Sequence, residues 1–84
     1  MKKIATAGNV IVPAILALEK LGFNITIQNV GTHSLLIAKR GDEEYVAEDP
    51  ILALGLVKMI EVRSWDWNTS NSEIDRVLKQ YNLG

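Results

Sequence analysis

The feature that most constrains this chain is that it lacks the residues for disulfide bonds or a zinc site: its 84 residues include no cysteine and a single histidine. A domain of this size buries only about 60% of the surface that its unfolded chain exposes. Small domains often supplement such a core with disulfides or zinc, and both need residues that this sequence lacks. We therefore expect one domain over residues 1–84, stabilised by apolar packing and, without cysteine, cytoplasmic.

The first helix is predicted over residues 10–21. Asn9 is a favourable N-cap residue, since its side chain can accept a hydrogen bond from a free backbone N–H group. Gly22 can adopt the left-handed conformation that ends a helix, and Phe23 is then placed to fold back on Leu18.

Two further helices are predicted in the C-terminal half. Asp49 and Pro50 are typical of a helix start, because an aspartate caps free N–H groups and proline has none to cap. This helix is expected to run to about Arg63. An S-x-x-E capping box at Ser70 predicts a third helix over residues 70–81.

Three strands are predicted between the first two helices, over residues 23–28, 34–39 and 44–47. The first alternates apolar and polar residues, and the second is apolar on both faces, as a central strand would be. Short turns join them, which favours antiparallel neighbours. The fold class is therefore α+β in the order α-β-β-β-α-α, a three-stranded antiparallel meander with helices packed on one face.

No group of residues predicts catalysis. His33 is expected in a hairpin turn, and its neighbours Thr32 and Ser34 would point away from it along an extended chain. The Gly8-Asn9 pair before the first helix lacks the glycine spacing of a phosphate-binding loop. We predict no catalytic residue, no cofactor and no metal site, and we do not expect an enzyme.

Charge and hydropathy exclude other partners. The net charge is −1 and the nine basic residues are scattered, whereas nucleic-acid binding needs clustered cations, so none is expected. No apolar run reaches the roughly 18 residues that span a membrane. The N-terminus superficially resembles a secretory signal, but Pro13 interrupts it and Glu19-Lys20 stand where cleavage would occur, so we expect no such signal.

Five apolar residues are candidates for an interaction surface. On helical geometry, Val12 and Leu16 share an arc of the first helix with charged residues, and Leu54 lies in the solvent strip that Lys58 and Glu61 mark on the second. Such residues are either covered by neighbouring elements or left free for a partner. Trp65 and Trp67, in the connection between the second and third helices, complete the set: Val12, Leu16, Leu54, Trp65 and Trp67.

Two more expectations concern the same region. Trp65 and Trp67 are two residues apart in an irregular segment, so we expect one between the helices and the other partly exposed. Gly55 costs about 0.5–1 kcal/mol inside a helix, so a close contact with another element is expected there. The third helix is predicted to be an ordinary one-sided surface helix.

Several segments resemble a group of small uncharacterised bacterial proteins of similar length. They are Gly8-Asn9, Val12-Pro13-Ala14, the octapeptide EEYVAEDP ending at Pro50, Leu54-Gly55-Leu56, and Asp66-Trp67 leading to Glu73-Ile74. The resemblance spans most of the chain and implies a bacterial, single-domain protein. It implies no catalytic or binding residue, because the group has no established activity.

Two functions remain open. The first is a non-enzymatic protein-interaction module of the regulatory or immunity type, whose partner is another protein or a second copy in a homodimer. The alternative is a protein that binds a small apolar ligand in a pocket between the sheet and the second helix, gated by Trp65 or Trp67.

Overall fold

A computed structural model describes residues 1–6 and 9–84 of the chain, and it has the predicted α+β element order. The elements are α1 (Ile11–Lys20), β1 (Asn24–Val30), β2 (His33–Arg40), β3 (Glu43–Ala47), α2 (Pro50–Arg63) and α3 (Asn71–Gln80). The strands form one antiparallel sheet in the order β1-β2-β3, so the predicted meander is confirmed.

The register of the sheet divides its side chains between a covered and an uncovered face. Ala38 pairs with Ile25 on β1 and with Tyr45 on β3, so these side chains share one face, which packs against α1 and α2. Ile37 pairs with Thr26 and Val46 on the other face, and no described helix covers it. The helices therefore pack on one face only, as predicted.

The core lies between this covered face and the two helices, and it is entirely apolar. Its buried residues are Leu18, Phe23, Leu36, Ala38, Tyr45, Ala47, Ala53 and Val57. No polar or charged residue is buried in the described part of the chain. Within residues 1–6 and 9–84, Leu18 and Leu36 are the only large side chains with almost no exposure, so the fully buried core is small.

The predicted end of the first helix is confirmed, but its predicted start is wrong. Gly22 adopts a φ of 95°, and the N–H of Phe23 donates to the carbonyl of Leu18 at 3.1 Å. At the other end, Val10 rather than Asn9 is the N-cap residue, and it has no side-chain hydrogen bond. The first hydrogen bond of the helix joins the N–H of Ala14 to the carbonyl of Val10, so the helix begins one residue later than predicted.

The caps of α2 and α3 form as predicted. The Asp49 carboxylate accepts a hydrogen bond from the N–H of Leu52 at 2.8 Å. The capping box is complete, since the N–H of Glu73 donates to the Ser70 hydroxyl at 3.1 Å and the N–H of Ser70 donates to the Glu73 carboxylate at 2.9 Å. The backbone hydrogen bond from Ser70 lowers the pKa of Glu73. Asn82, at a φ of 58°, ends α3.

Arg40 connects the hairpin between β2 and β3 to the end of α1. Its guanidinium donates to the Glu43 carboxylate at 3.0 Å and to the carbonyl of Leu21 at 2.9 Å, and lies 4.3 Å from the ring centre of Phe23. The Tyr45 hydroxyl also donates to Glu43, at 3.0 Å. The hydrogen bond from Arg40, and secondarily that from Tyr45, lowers the pKa of Glu43, whereas burial raises the pKa of Tyr45.

We predict that Glu43→Gln lowers the melting temperature at pH 7 and that this difference disappears in acid. The folded state lowers the pKa of Glu43, so the stabilisation is present above the unfolded-state value of about 4.3 and is lost as the pH falls through the lowered value. Thermal unfolding of both proteins from pH 7 to pH 3 tests this. A difference that stays constant with pH would show that the carboxylate charge does not contribute.

Candidate interaction surface

Helix α3 presents an apolar face that the described chain covers only in part. This α3 stripe consists of Ile74, Val77, Leu78 and Tyr81. Ile74 is 42% exposed, Leu78 is 37% exposed and Tyr81 is 61% exposed, and no residue of α3 is buried. A helix of ten residues is marginal in water, and most helices are stabilised by packing of their apolar face. The stripe is therefore a surface that gains stability when a partner covers it.

The sequence indicated this stripe but not its exposure. The helical spacing of its apolar residues correctly predicted a one-sided helix, and its start and end were predicted to within a residue. The missing information was tertiary: α1 and α2 already occupy the covered face of the sheet, and α3 packs on no described element to a comparable extent. None of the stripe residues was among the predicted interaction residues.

The connection between α2 and α3, residues 64–70, is held against the domain by aromatic stacking. Trp65 lies parallel to Tyr45, with ring centres 5.7 Å apart and an interplanar angle of 27°. Tyr45 in turn meets Phe23 edge to face at 5.5 Å. The Arg63 guanidinium donates to the carbonyl of Trp67 at 3.0 Å, which fixes the course of the connection. The aromatic contacts thus extend from the core to the surface.

Trp65 and Trp67 line one cleft of about 240 Å³ between β3 and α2. The cleft is lined by Glu44, Tyr45, Val46, Leu56, Met59, Ile60, Trp65 and Trp67. The expectation that the two tryptophans have different environments is wrong, since both are exposed and both lie on this cleft. The hydrogen bonds from Arg63 curve the connection so that residues two apart face the same space.

The predicted residues on α1 and α2 are separated. Val12 and Leu16 are 64% and 58% exposed on α1. Leu54 is half-buried, packs against the core, and lines a groove of about 410 Å³ together with residues 4–6, 10, 13, 14 and 51. The structure therefore brings the two tryptophans together and leaves Val12 and Leu16 on the open side of α1, but it places Leu54 inside the helix packing.

The exposed apolar residues of α2 lie on its outer arc, which we define as Leu52, Gly55 and Val62. These three positions are exposed and lie opposite the buried Ala53 and Val57 on the helix. A Cβ atom added at Gly55 would meet nothing within 4 Å, so the expected close contact with another element does not exist in the described chain. The glycine leaves a shallow depression on an apolar surface.

A further group of polar residues lies around His33. His33 is the exposed first residue of β2 rather than a turn residue, and it borders a polar pocket with Thr32, Ser34 and Glu48. Within residues 1–6 and 9–84, no three histidine, cysteine, aspartate or glutamate side chains lie close enough to share a metal ion. No helix of the described chain has the length and apolar composition to cross a membrane.

We predict that Ser64→Gly stabilises the fold by about 1 kcal/mol. Ser64 adopts a φ of 60° and a ψ of −175°, a conformation that only glycine reaches without strain of roughly 1–3 kcal/mol, part of which the greater freedom of unfolded glycine offsets. Ser64→Ala is the matched control, because it removes the same hydroxyl but keeps the strain. Equal urea-unfolding midpoints for the two variants would contradict the assignment of strain.

Comparison with known proteins found no relative of this chain. No family model matches the chain, and neither the curated proteins nor the solved structures contain a significant match to it. The resemblance to small bacterial proteins therefore stays a prediction.

Proposed function

We propose that this chain is a non-enzymatic protein-interaction module that binds its partner through the α3 stripe. The single observation that carries the proposal is a capped helix whose apolar residues are all at least partly exposed. Soluble proteins rarely expose contiguous apolar surface unless it is an interaction site. The connection of residues 64–70, which carries Trp65 and Trp67, leads directly into α3. Exposed tryptophans are enriched among the residues that dominate binding energy.

The free energy gained by burying the α3 stripe favours a bound partner over an uncovered helix. Burying a large aliphatic or aromatic side chain completely is worth about 1.5–3 kcal/mol, and Ile74, Leu78 and Tyr81 are each about half exposed. Covering them recovers roughly 1 kcal/mol per side chain, enough to hold a ten-residue helix that is otherwise marginal. Binding and ordering of α3 are then the same event, as in other recognition modes in which an amphipathic helix enters an apolar groove.

We predict that Ile74→Glu/Leu78→Glu abolishes partner binding and leaves the core folded. Glutamate is a good helix former, and neither position is buried, so the charges disrupt the surface rather than the domain. Ser72→Glu/Gln80→Glu is the control, since it adds the same charge to the polar side of α3. Thermal unfolding followed by circular dichroism verifies that each variant is folded.

The measurement is quantitative co-purification from the source cells after cross-linking, with a second, differently tagged copy present. A partner is scored as recovered whether it is a different protein or the second, differently tagged copy. Loss of a stoichiometric partner in the stripe variant, but not in the control, supports the proposal. A partner retained equally by wild type and both variants would place the interaction elsewhere and overturn it.

The cleft beside the two tryptophans supports a second candidate function, the binding of a small apolar ligand. Trp65, Trp67 and Tyr45 line it, with Met59 and Ile60 from α2. Its volume of about 240 Å³ is smaller than the roughly 300–1,000 Å³ of most ligand sites, which favours the interaction module. Thermal-shift screening against apolar metabolites tests it, because a ligand of the folded state raises the melting temperature, and Trp67→Ala should remove the shift.

A further inference from the structure

The chain exposes far more surface than a compact protein of its mass. Its accessible area is 6909 Å², whereas a folded monomer of 9.3 kDa exposes about 5,000 Å². Its radius of gyration is 15.3 Å, against about 12 Å for a compact domain of this length. Residues 1–6, all exposed, contribute part of the excess. The uncovered face of the sheet contributes another part, for example at Val30 and Val46, and the exposed sides of α1, α2 and α3 contribute as well.

The excess is large enough to include a dimer interface. It amounts to roughly 1,900 Å² per chain, residues 1–6 and the uncovered sheet face included, while a standard interface buries about 800 Å² per partner. Large apolar side chains are exposed on all three helices, and obligate homodimer interfaces are rich in such side chains. They include Val12, Leu16, Leu52, Val62, Ile74 and Tyr81.

Two of the uncovered surfaces are suited to each other. The α3 stripe is a convex row of large side chains on a helix joined to the domain by the connection of residues 64–70. The outer arc of α2 is an apolar helix surface with a depression at Gly55, where an added Cβ would meet nothing within 4 Å. A glycine inside an exposed helix costs about 0.5–1 kcal/mol, and close approach of another helix is a physical reason for it.

We propose that the partner is a second copy of this chain, and that the α3 stripe of each copy packs on the outer arc of α2 of the other around a two-fold axis. This inference rests on the proposed function and names its partner. Reciprocal packing covers both surfaces of both copies with one symmetry operation, as isologous dimers do. Val12 and Leu16 are exposed on α1, so this helix also presents apolar side chains to solvent.

The test is the mass of the purified chain by sedimentation equilibrium from roughly 1 to 200 µM, a range in which a dimer dissociates by mass action. We expect wild type at twice 9.3 kDa in the upper part of this range. Ile74→Glu/Leu78→Glu and Gly55→Leu should each weaken dimerisation at least about tenfold. Gly55→Leu has room in the monomer and improves helix propensity, so it stays folded.

Mixing the two variants identifies the reciprocal arrangement. The stripe variant keeps an intact outer arc and the Gly55→Leu variant keeps an intact stripe, so the mixture should form heterodimers through one of the two contacts. Partial recovery of dimer therefore supports the proposal. A wild-type dimer without recovery on mixing would contradict reciprocal packing and overturn the proposal.

A wild-type chain that remains monomeric at the highest concentration would also overturn the second copy as partner. The proposed function would then be tested separately by the co-purification. It is supported if the stripe variant loses another protein and contradicted if that protein is retained. Far-UV circular dichroism of Gly55→Leu distinguishes a broken interface from an unfolded chain.

Discussion

The structure depends on how much of the small sheet the helices cover. Helices α1 and α2 are enough to cover one face of the three-stranded sheet. The buried residues Leu18, on α1, and Val57, on α2, belong to the single core cluster against that face. Helix α3 makes no extensive contact with the sheet or with the other two helices. An 84-residue chain without cysteine needs apolar packing, so a third amphipathic helix whose apolar face is only partly buried is the main departure from that requirement.

The surface and the core are connected by a short series of aromatic and charged contacts. Arg40 lies over Phe23, Phe23 meets Tyr45, and Tyr45 stacks on Trp65. Because Trp65 begins the connection to α3, the position of α3 depends on packing inside the domain. The strained backbone of Ser64 lies between α2 and this stacked tryptophan, so the course of the connection is stabilised by tertiary contacts against a local cost.

The proposed function and the proposed dimer both follow from apolar surface that the described chain leaves exposed. Such surface carries a hydration cost that a partner removes, and the excess area is large enough to include an interface of homodimer size. Gly55 fits this account, since a glycine that weakens α2 has no contact inside the chain but leaves space for another helix. The proposed module therefore works by covering apolar surface, which needs no reactive side chain.

The sequence by itself determined what is local: the element order, the capping of α2 and α3, the glycine that ends α1 and the amphipathic nature of α3. These depend on hydrogen bonds and periodicities within a few residues. It failed at Asn9, at Gly55 and at the shared cleft of Trp65 and Trp67. The surroundings of Gly55 and of the two tryptophans depend on which surfaces meet, and only the tertiary structure decided this, because burial depends on how distant elements pack together.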